Sequence, residues 1–338
     1  MNRAEILSAE LNERTVNPLN DVMFKFIFGK EERKQIMLDF LNAVLENSLK
    51  HEIKDIKYGQ TELIPNNIDD KLTRIDIFCE LDTGEQVDVE VQVANYNNMQ
   101  RRTTYYWAQL YLMSLPKGLD YRELTPVITI NLLAFDLLPK DSPHSEYKIC
   151  ELTTGHQLNN DLDIHFLEIP KFAKTNKPIE KMSKMEKWLA YFANKLNDIE
   201  REELKMSSIA IAGAMDAAEK FLASSAERRA YINRQLAIMD YNSEMRSARE
   251  QGLAKGRAEG LEKGRAEGLE KGLAEGRAEG LEKGLAEGRA EGRAEGRAEG
   301  RLSTYRALLA AGAITMDKLR NLGTLTADEL TALAKEKS

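Results

Sequence analysis

Alternation of apolar and polar residues is cleanest at residues 87–93, where Val87, Val89, Val91 and Val93 fall on one face and Asp88, Glu90 and Gln92 on the other. A period of two predicts a half-buried strand. Residues 74–81, RIDIFCEL, form a second such segment, joined to the first by DTGEQ, so the pair predicts a hairpin. A turn centred near Gly84 places Asp76 across from Gln92, with Glu90 one step diagonal. Such neighbours lie about 4.5–8 Å apart.

Helical spacing precedes the hairpin. Asn17-Pro-Leu-Asn-Asp21 supplies turn and capping chemistry, and Met23, Phe24, Ile27 and Phe28 form an apolar face that Gly29 can end. A second helix is expected over about residues 31–46, with Ile36, Met37, Phe40, Leu41, Val44 and Leu45 at helical spacing. A weakly marked strand is expected within 53–63. After the hairpin, residues 97–115 predict a helix with Tyr105, Ala108, Leu112 and Leu115 as its buried stripe. The apolar run PVITINLLAF, 126–135, predicts a strand covered on both faces, and IHFLEIP, 164–170, a last strand. This order gives a mixed α/β domain over residues 1–178.

The pattern then changes. Residues 179–250 are helical, with Trp188, Leu189, Tyr191, Phe192 and Leu196 on one amphipathic piece. Residues 251–301 hold a tetrapeptide repeat in which glycine recurs at every fourth position from Gly252 to Gly300, 13 in all, in units such as GRAE, GLEK and GLAE. A period of 4.0 drifts by about 40° per repeat around a helix, and each interior glycine costs about 1 kcal/mol against alanine. Both a long helix or coiled coil and a disordered spacer fit. Residues 302–338 predict a helical hairpin broken near 321–323.

Composition limits the partners. The 338 residues carry a formal net charge of −7, so nucleic acid would be met through a local basic patch. Cys79 reads as a small buried hydrophobe. The four histidines, His51, His144, His156 and His165, form no HxxxH or HxH pair, so a histidine-based zinc site is not expected. The first residues do not read as a signal peptide and no run approaches membrane length. A soluble, cytoplasmic protein is expected.

An Asp followed across a turn by Glu-x-Gln is an arrangement suited to a hard divalent cation, Mg²⁺ or Mn²⁺. Asp76 and Glu90 would offer carboxylates, the Val91 backbone carbonyl a third oxygen, and Gln92 an amide to orient water. A solvent-facing acidic side of an ordinary hairpin accounts for the same pattern. Against that stands the crowding of like charges on residues that are poor strand formers.

NPLNDVMFKFIFG, the RIDIFCEL–VDVEVQV hairpin, RRTTYYWAQLY and PVITINLLAF, in this order over residues 15–175, resemble the PD-(D/E)XK nuclease family transposases, the group that includes the recombination-promoting nuclease (Rpn) proteins. Glycine-rich tails are also similar to those of this family. The resemblance implies a restriction-endonuclease-like α/β core, a mixed sheet flanked by helices, with an all-α, glycine-repeat extension. It also implies metal-dependent cleavage of DNA phosphodiesters in recombination or defence against foreign DNA. By position it makes Asp76 and Glu90 the motif's acids and Gln92 the residue at its lysine position. Asp21 and Lys25 stand where related nucleases carry an auxiliary acid, although capping and surface roles fit them equally. Arg101, Arg102 and Tyr105 match a DNA-contacting helix, and Tyr105 equally fits a core position. A homo-oligomer joined through the helical C-terminal region is expected. The alternative is a DNA-binding, self-associating protein with weak or no catalysis.

Overall fold

A computed structural model describes residues 3–63, 73–115, 118 and 120–335. The chain divides into two units, Met1–Arg246 and Ser247–Ser338. The first contains, in order, α1 (Arg3–Glu10), α2 (Asp21–Phe28), α3 (Lys34–Val44), β1 (Ile56–Tyr58), β2 (Glu62–Leu63), β3 (Thr73–Arg74), β4 (Ile77–Leu81) and β5 (Gln86–Gln92). There follow α4 (Met99–Met113), β6 (Val127–Leu133), β7 (His144–Tyr147), β8 (Leu162–Glu168), α5 (Ile169–Phe172), α6 (Lys184–Ala193), α7 (Asp198–Ser207) and α8 (Ile209–Ala223). α9 (Ser225–Ala310) begins in this unit.

Six strands form one sheet in the order β1-β4-β5-β6-β8-β7; β2 and β3 pair separately. β5, β6 and β8 run parallel, whereas β1, β4 and β7 are antiparallel to their neighbours. The crossover from β5 to β6 is α4, which covers one face of the sheet. The valines of β5 point to the other face. There Val87, Val89 and Val91 join Met23, Phe24, Ile27 and Phe28 of α2 and the apolar side of α3. The residues set apart above as a helical region supply Trp188, Phe192, Ile211 and Phe221 to this same core. Phe28, Phe40, Trp188 and Phe192 interlock there, Phe28 lying 5.5 Å from both Trp188 and Phe192 by ring centroids.

Local details correct several expectations. The cap of α2 is Asn20, whose side chain accepts from the Val22 and Met23 N–H groups, and not Asp21. The hairpin pairs Ile77 with Val89 and Glu80 with Gln86, and Leu81 N–H donates to Glu85 O at 2.9 Å. Its loop is therefore Asp82-Thr83-Gly84, with Gly84 at φ 99°, where glycine is favoured. The turn is centred on Thr83, so the register moves by two residues and Asp76 comes across from Glu90 rather than Gln92. The buried stripe of α4 is Met99, Thr103 and Leu110, joined by Tyr106 and Trp107, while Leu112 and Tyr105 are exposed. Polar Thr103 belongs to the stripe because the sheet face beneath it is polar, which apolar spacing cannot report. β7 was not expected; its sequence, HSEY, lacks an apolar run.

In the second unit α9 continues through the whole repeat and is followed by α10 (Met316–Asn321) and α11 (Ala327–Lys335). Leu309, Leu319 and Leu333 form a small core here, closed by an Arg301–Glu329 ion pair at 3.1 Å. Among the described residues no helix is long and apolar enough to cross a membrane. A Cβ added at any of the repeat glycines would meet nothing within 4 Å. Replacing Gly268, Gly272 and Gly276 by alanine is therefore expected to stabilise the helix by about 1 kcal/mol per site. Far-UV circular dichroism on heating should show later loss of helix; earlier loss would mean that the glycines make close contacts.

Candidate functional site

Because the valines of β5 face the α2–α3 core, Asp88 and Glu90 face α4, and they are 1% and 2% exposed. The acidic side of the hairpin is thus not a solvated face. Carboxylates so placed need partners, and neighbouring elements supply them to Glu90 and to Asp76 beside it. Glu90 Oε1 accepts the Asp76 backbone N–H at 2.8 Å, and Asp76 Oδ2 accepts the Val91 N–H at 3.0 Å. The Val91 carbonyl lies along the same strand edge as its N–H, toward Asp76, since odd-numbered residues of β5 direct their backbone groups at β4.

Two cations flank the pair. Lys25, one turn into α2, places Nζ 2.9 Å from Asp76 Oδ1. Arg102, in the first turn of α4, donates from Nη2 to Glu90 Oε2 and from Nη1 to Gln92 Oε1, each at 2.8 Å. Its Nε donates to Tyr106 Oη at 2.9 Å, one helical turn away. The Gln92 amide is engaged at its other end too, donating to Ala94 O at 3.0 Å. Deeper in, Asn131 Nδ2 donates to Thr103 Oγ1 at 2.9 Å and to His165 O at 3.0 Å.

Burial and the adjacent Asp76 carboxylate outweigh Arg102 and push the Glu90 carboxyl up to about 8. Asp88 is driven higher than an ordinary carboxyl by burial, then by Glu90 and Asp76, and neither of its oxygens has a hydrogen-bond partner. A cavity of about 330 Å³ opens beside Asp76 and Lys25, lined also by Tyr58, Gly59 and Thr61. A larger cavity, about 1120 Å³, lies between α3, α6 and α8, away from these acids.

The structure therefore brings together Asp76, Glu90, Gln92, the Val91 carbonyl, Lys25 and Arg102. Asp21 points elsewhere and accepts from Arg234 Nε at 2.9 Å. Arg101 and Tyr105 lie on the outer side of α4, where Tyr105 is 44% exposed and accepts from Gln109 Nε2 at 3.0 Å. Sequence reasoning left Asp88 and Tyr106 without roles. Asp88 was visible as a member of the acidic face, and Tyr106 as the i+4 neighbour of Arg102.

The family model described as PD-(D/E)XK nuclease family transposase matches residues 18–248, more than half of the chain. No curated protein and no solved structure matches significantly.

With chelator present, the folded protein holds a proton at Glu90 up to about pH 8, whereas the unfolded chain releases it near 4.5. The folded state then binds more protons between these values, so stability falls as pH rises through that window. Urea unfolding of wild type and Glu90→Gln across pH 5–8 should show a shallower decline in the variant; equal slopes would contradict this account.

Proposed function

Because the chain belongs to the PD-(D/E)XK nuclease family transposases, with their restriction-endonuclease-like α/β fold, we propose that it is a Mg²⁺- or Mn²⁺-dependent DNA endonuclease that hydrolyses phosphodiester bonds. One observation carries the reading: Asp76 and Glu90 meet across the hairpin, Glu90 accepting the Asp76 N–H and Asp76 the Val91 N–H, flanked by Lys25 and Arg102. The donor set fits the ion, since Asp76, Glu90 and the Val91 carbonyl are all hard oxygens. Bound there, the ion supplies polarisation of a phosphoryl oxygen and a water of lowered pKa.

The chain's own groups do the rest. Gln92 cannot provide the positive charge that the motif's lysine does. Lys25 does so from α2: its side chain is 45% exposed, at the cavity mouth beside Asp76, where an ammonium can meet negative charge developing on phosphate. Arg102 holds the buried Glu90 carboxyl group in place, and Gln92 braces Arg102. Asp21, paired with Arg234, steadies the turn of α2 that carries Lys25. Arg101 and Tyr105, on the outer side of α4, meet backbone phosphates and add no sequence preference. The protein acts in the cytoplasm, in recombination or defence against foreign DNA, as a homo-oligomer joined through its C-terminal helices.

A second reading, a DNA-binding, self-associating protein with weak or no catalysis, is favoured by the cations that already contact both acids. Plasmid cleavage with Mg²⁺ separates the two. Asp76→Ala should lower the rate by about 100-fold or more and Lys25→Ala by about 10- to 100-fold, with Asp21→Ala closer to wild type. Cleavage by Asp76→Ala at the wild-type rate would overturn the site assignment. DNA binding by wild type without metal-dependent nicking would favour the second reading.

A further inference from the structure

On the opposite face of the sheet, at its β7–β8 edge, the antiparallel register sets Glu146 across from His165. Asp163 lies two residues before His165 on the same face. One ligand atom from each of Glu146, Asp163 and His165 lies within 4.8 Å of the other two. Asp163 and His165 are buried, His165 completely. His165 Nε2 and Asp163 Oδ1 stand 3.0 Å apart, yet neither atom makes a hydrogen bond. Buried polar atoms without a partner call for one, and a single ligand beside both would serve them together.

We propose that Glu146, Asp163 and His165 form a second divalent-metal site, distinct from the Asp76–Glu90 centre and suited to a transition metal such as Zn²⁺ or Mn²⁺. An imidazole nitrogen beside two carboxylates favours these ions over Mg²⁺ or Ca²⁺. The spacing agrees: ligands sharing an edge of an octahedron with bonds of about 2.1 Å lie about 3.0 Å apart. His144 orients the ring, its Nε2 lying 2.9 Å from His165 Nδ1. When His165 Nδ1 donates to His144, the Nε2 lone pair is left facing Asp163 for the metal, the arrangement in which metal-ligating histidines are commonly held.

Lys148 competes with a cation for these carboxylates. Its Nζ lies 2.7 Å from Glu146 and 3.5 Å from Asp163. Partly exposed and long, it can swing into solvent as the ion enters. The metal then joins the edge strand β7, through Glu146, to β8. Local histidine spacing does not point to such a site; strand pairing brings positions 146, 163 and 165 together.

Zn²⁺ titration by calorimetry, on full-length protein stripped with chelator and carrying Asp76→Asn, isolates this site from the nuclease centre. One equivalent should bind and raise the thermal midpoint of unfolding. Glu146→Gln should weaken binding by about tenfold or more, and Lys148→Ala should strengthen it, because the competing cation is gone. These opposite signs are not expected of a purely structural cluster. His165→Gln should also abolish binding; if it does not fold, the two surface-reaching variants decide. Absence of Zn²⁺ binding in Asp76→Asn, or equal affinity in Glu146→Gln and Lys148→Ala, would overturn the proposal.

Discussion

Burial of carboxylates on a covered sheet face is the constraint around which the first unit is arranged. Glu90 and Asp88 sit beneath α4 with almost no exposure. An ionised group in such a place costs several kcal/mol unless it is paired and hydrogen-bonded. Asp76 is met by a cation from α2 and Glu90 by one from α4, while across the hairpin Glu90 accepts the Asp76 N–H and Asp76 the Val91 N–H. Asp88 has no such partner, and burial favours its neutral form. The phase of α4 follows from this: Arg102 and Thr103 must face inward, so Arg101 and Tyr105 face outward.

The same rule operates elsewhere in the sheet. With β5, β6 and β8 parallel and layers on both faces, polar residues of the central strands cannot reach water and must be satisfied internally. Glu168, fully buried at the end of β8, accepts the Leu137 and Leu138 N–H groups and pairs with Lys171 at 2.7 Å. Thr129 and Asn131 on β6 face Thr103 of α4. At the edge, Asp163 and His165 are the pair for which the protein supplies proximity without a hydrogen bond.

Ser247–Ser338 obeys a different logic. Its helix is mostly solvated, and its glycines have open space around them. Backbone hydrogen bonds and the helix propensity of Ala, Leu, Glu, Lys and Arg hold it against the glycine cost. The Lys255–Glu259 and Lys263–Glu267 pairs at 3.8 and 4.0 Å add little, since Lys before Glu is the weaker orientation. Only the last turns, with α10 and α11, gather a core.

Much of this is legible in the amino-acid sequence, and the reasons differ by element. Periodicity located α2, β5 and β6 because their apolar residues face an apolar core. The acids Asp76 and Glu90 stood out because they interrupt that logic in strands. Periodicity located α4 but not its buried stripe, where Arg102 and Thr103 turn toward a polar sheet face, and it missed β7, whose HSEY carries no apolar run. Turn chemistry was readable to one residue, but one residue in the turn is two in the register, so the partner of Asp76 was misassigned. By itself, then, the sequence determined the local elements, the acidic face of the hairpin and the small-residue repeat, all of which depend on neighbours close along the chain. Only the tertiary structure decided that the acidic face is covered, that Lys25 and Arg102 contact Asp76 and Glu90, and that His144 and His165 meet. Those outcomes depend on strand register and helix phase, which bring together residues far apart in sequence.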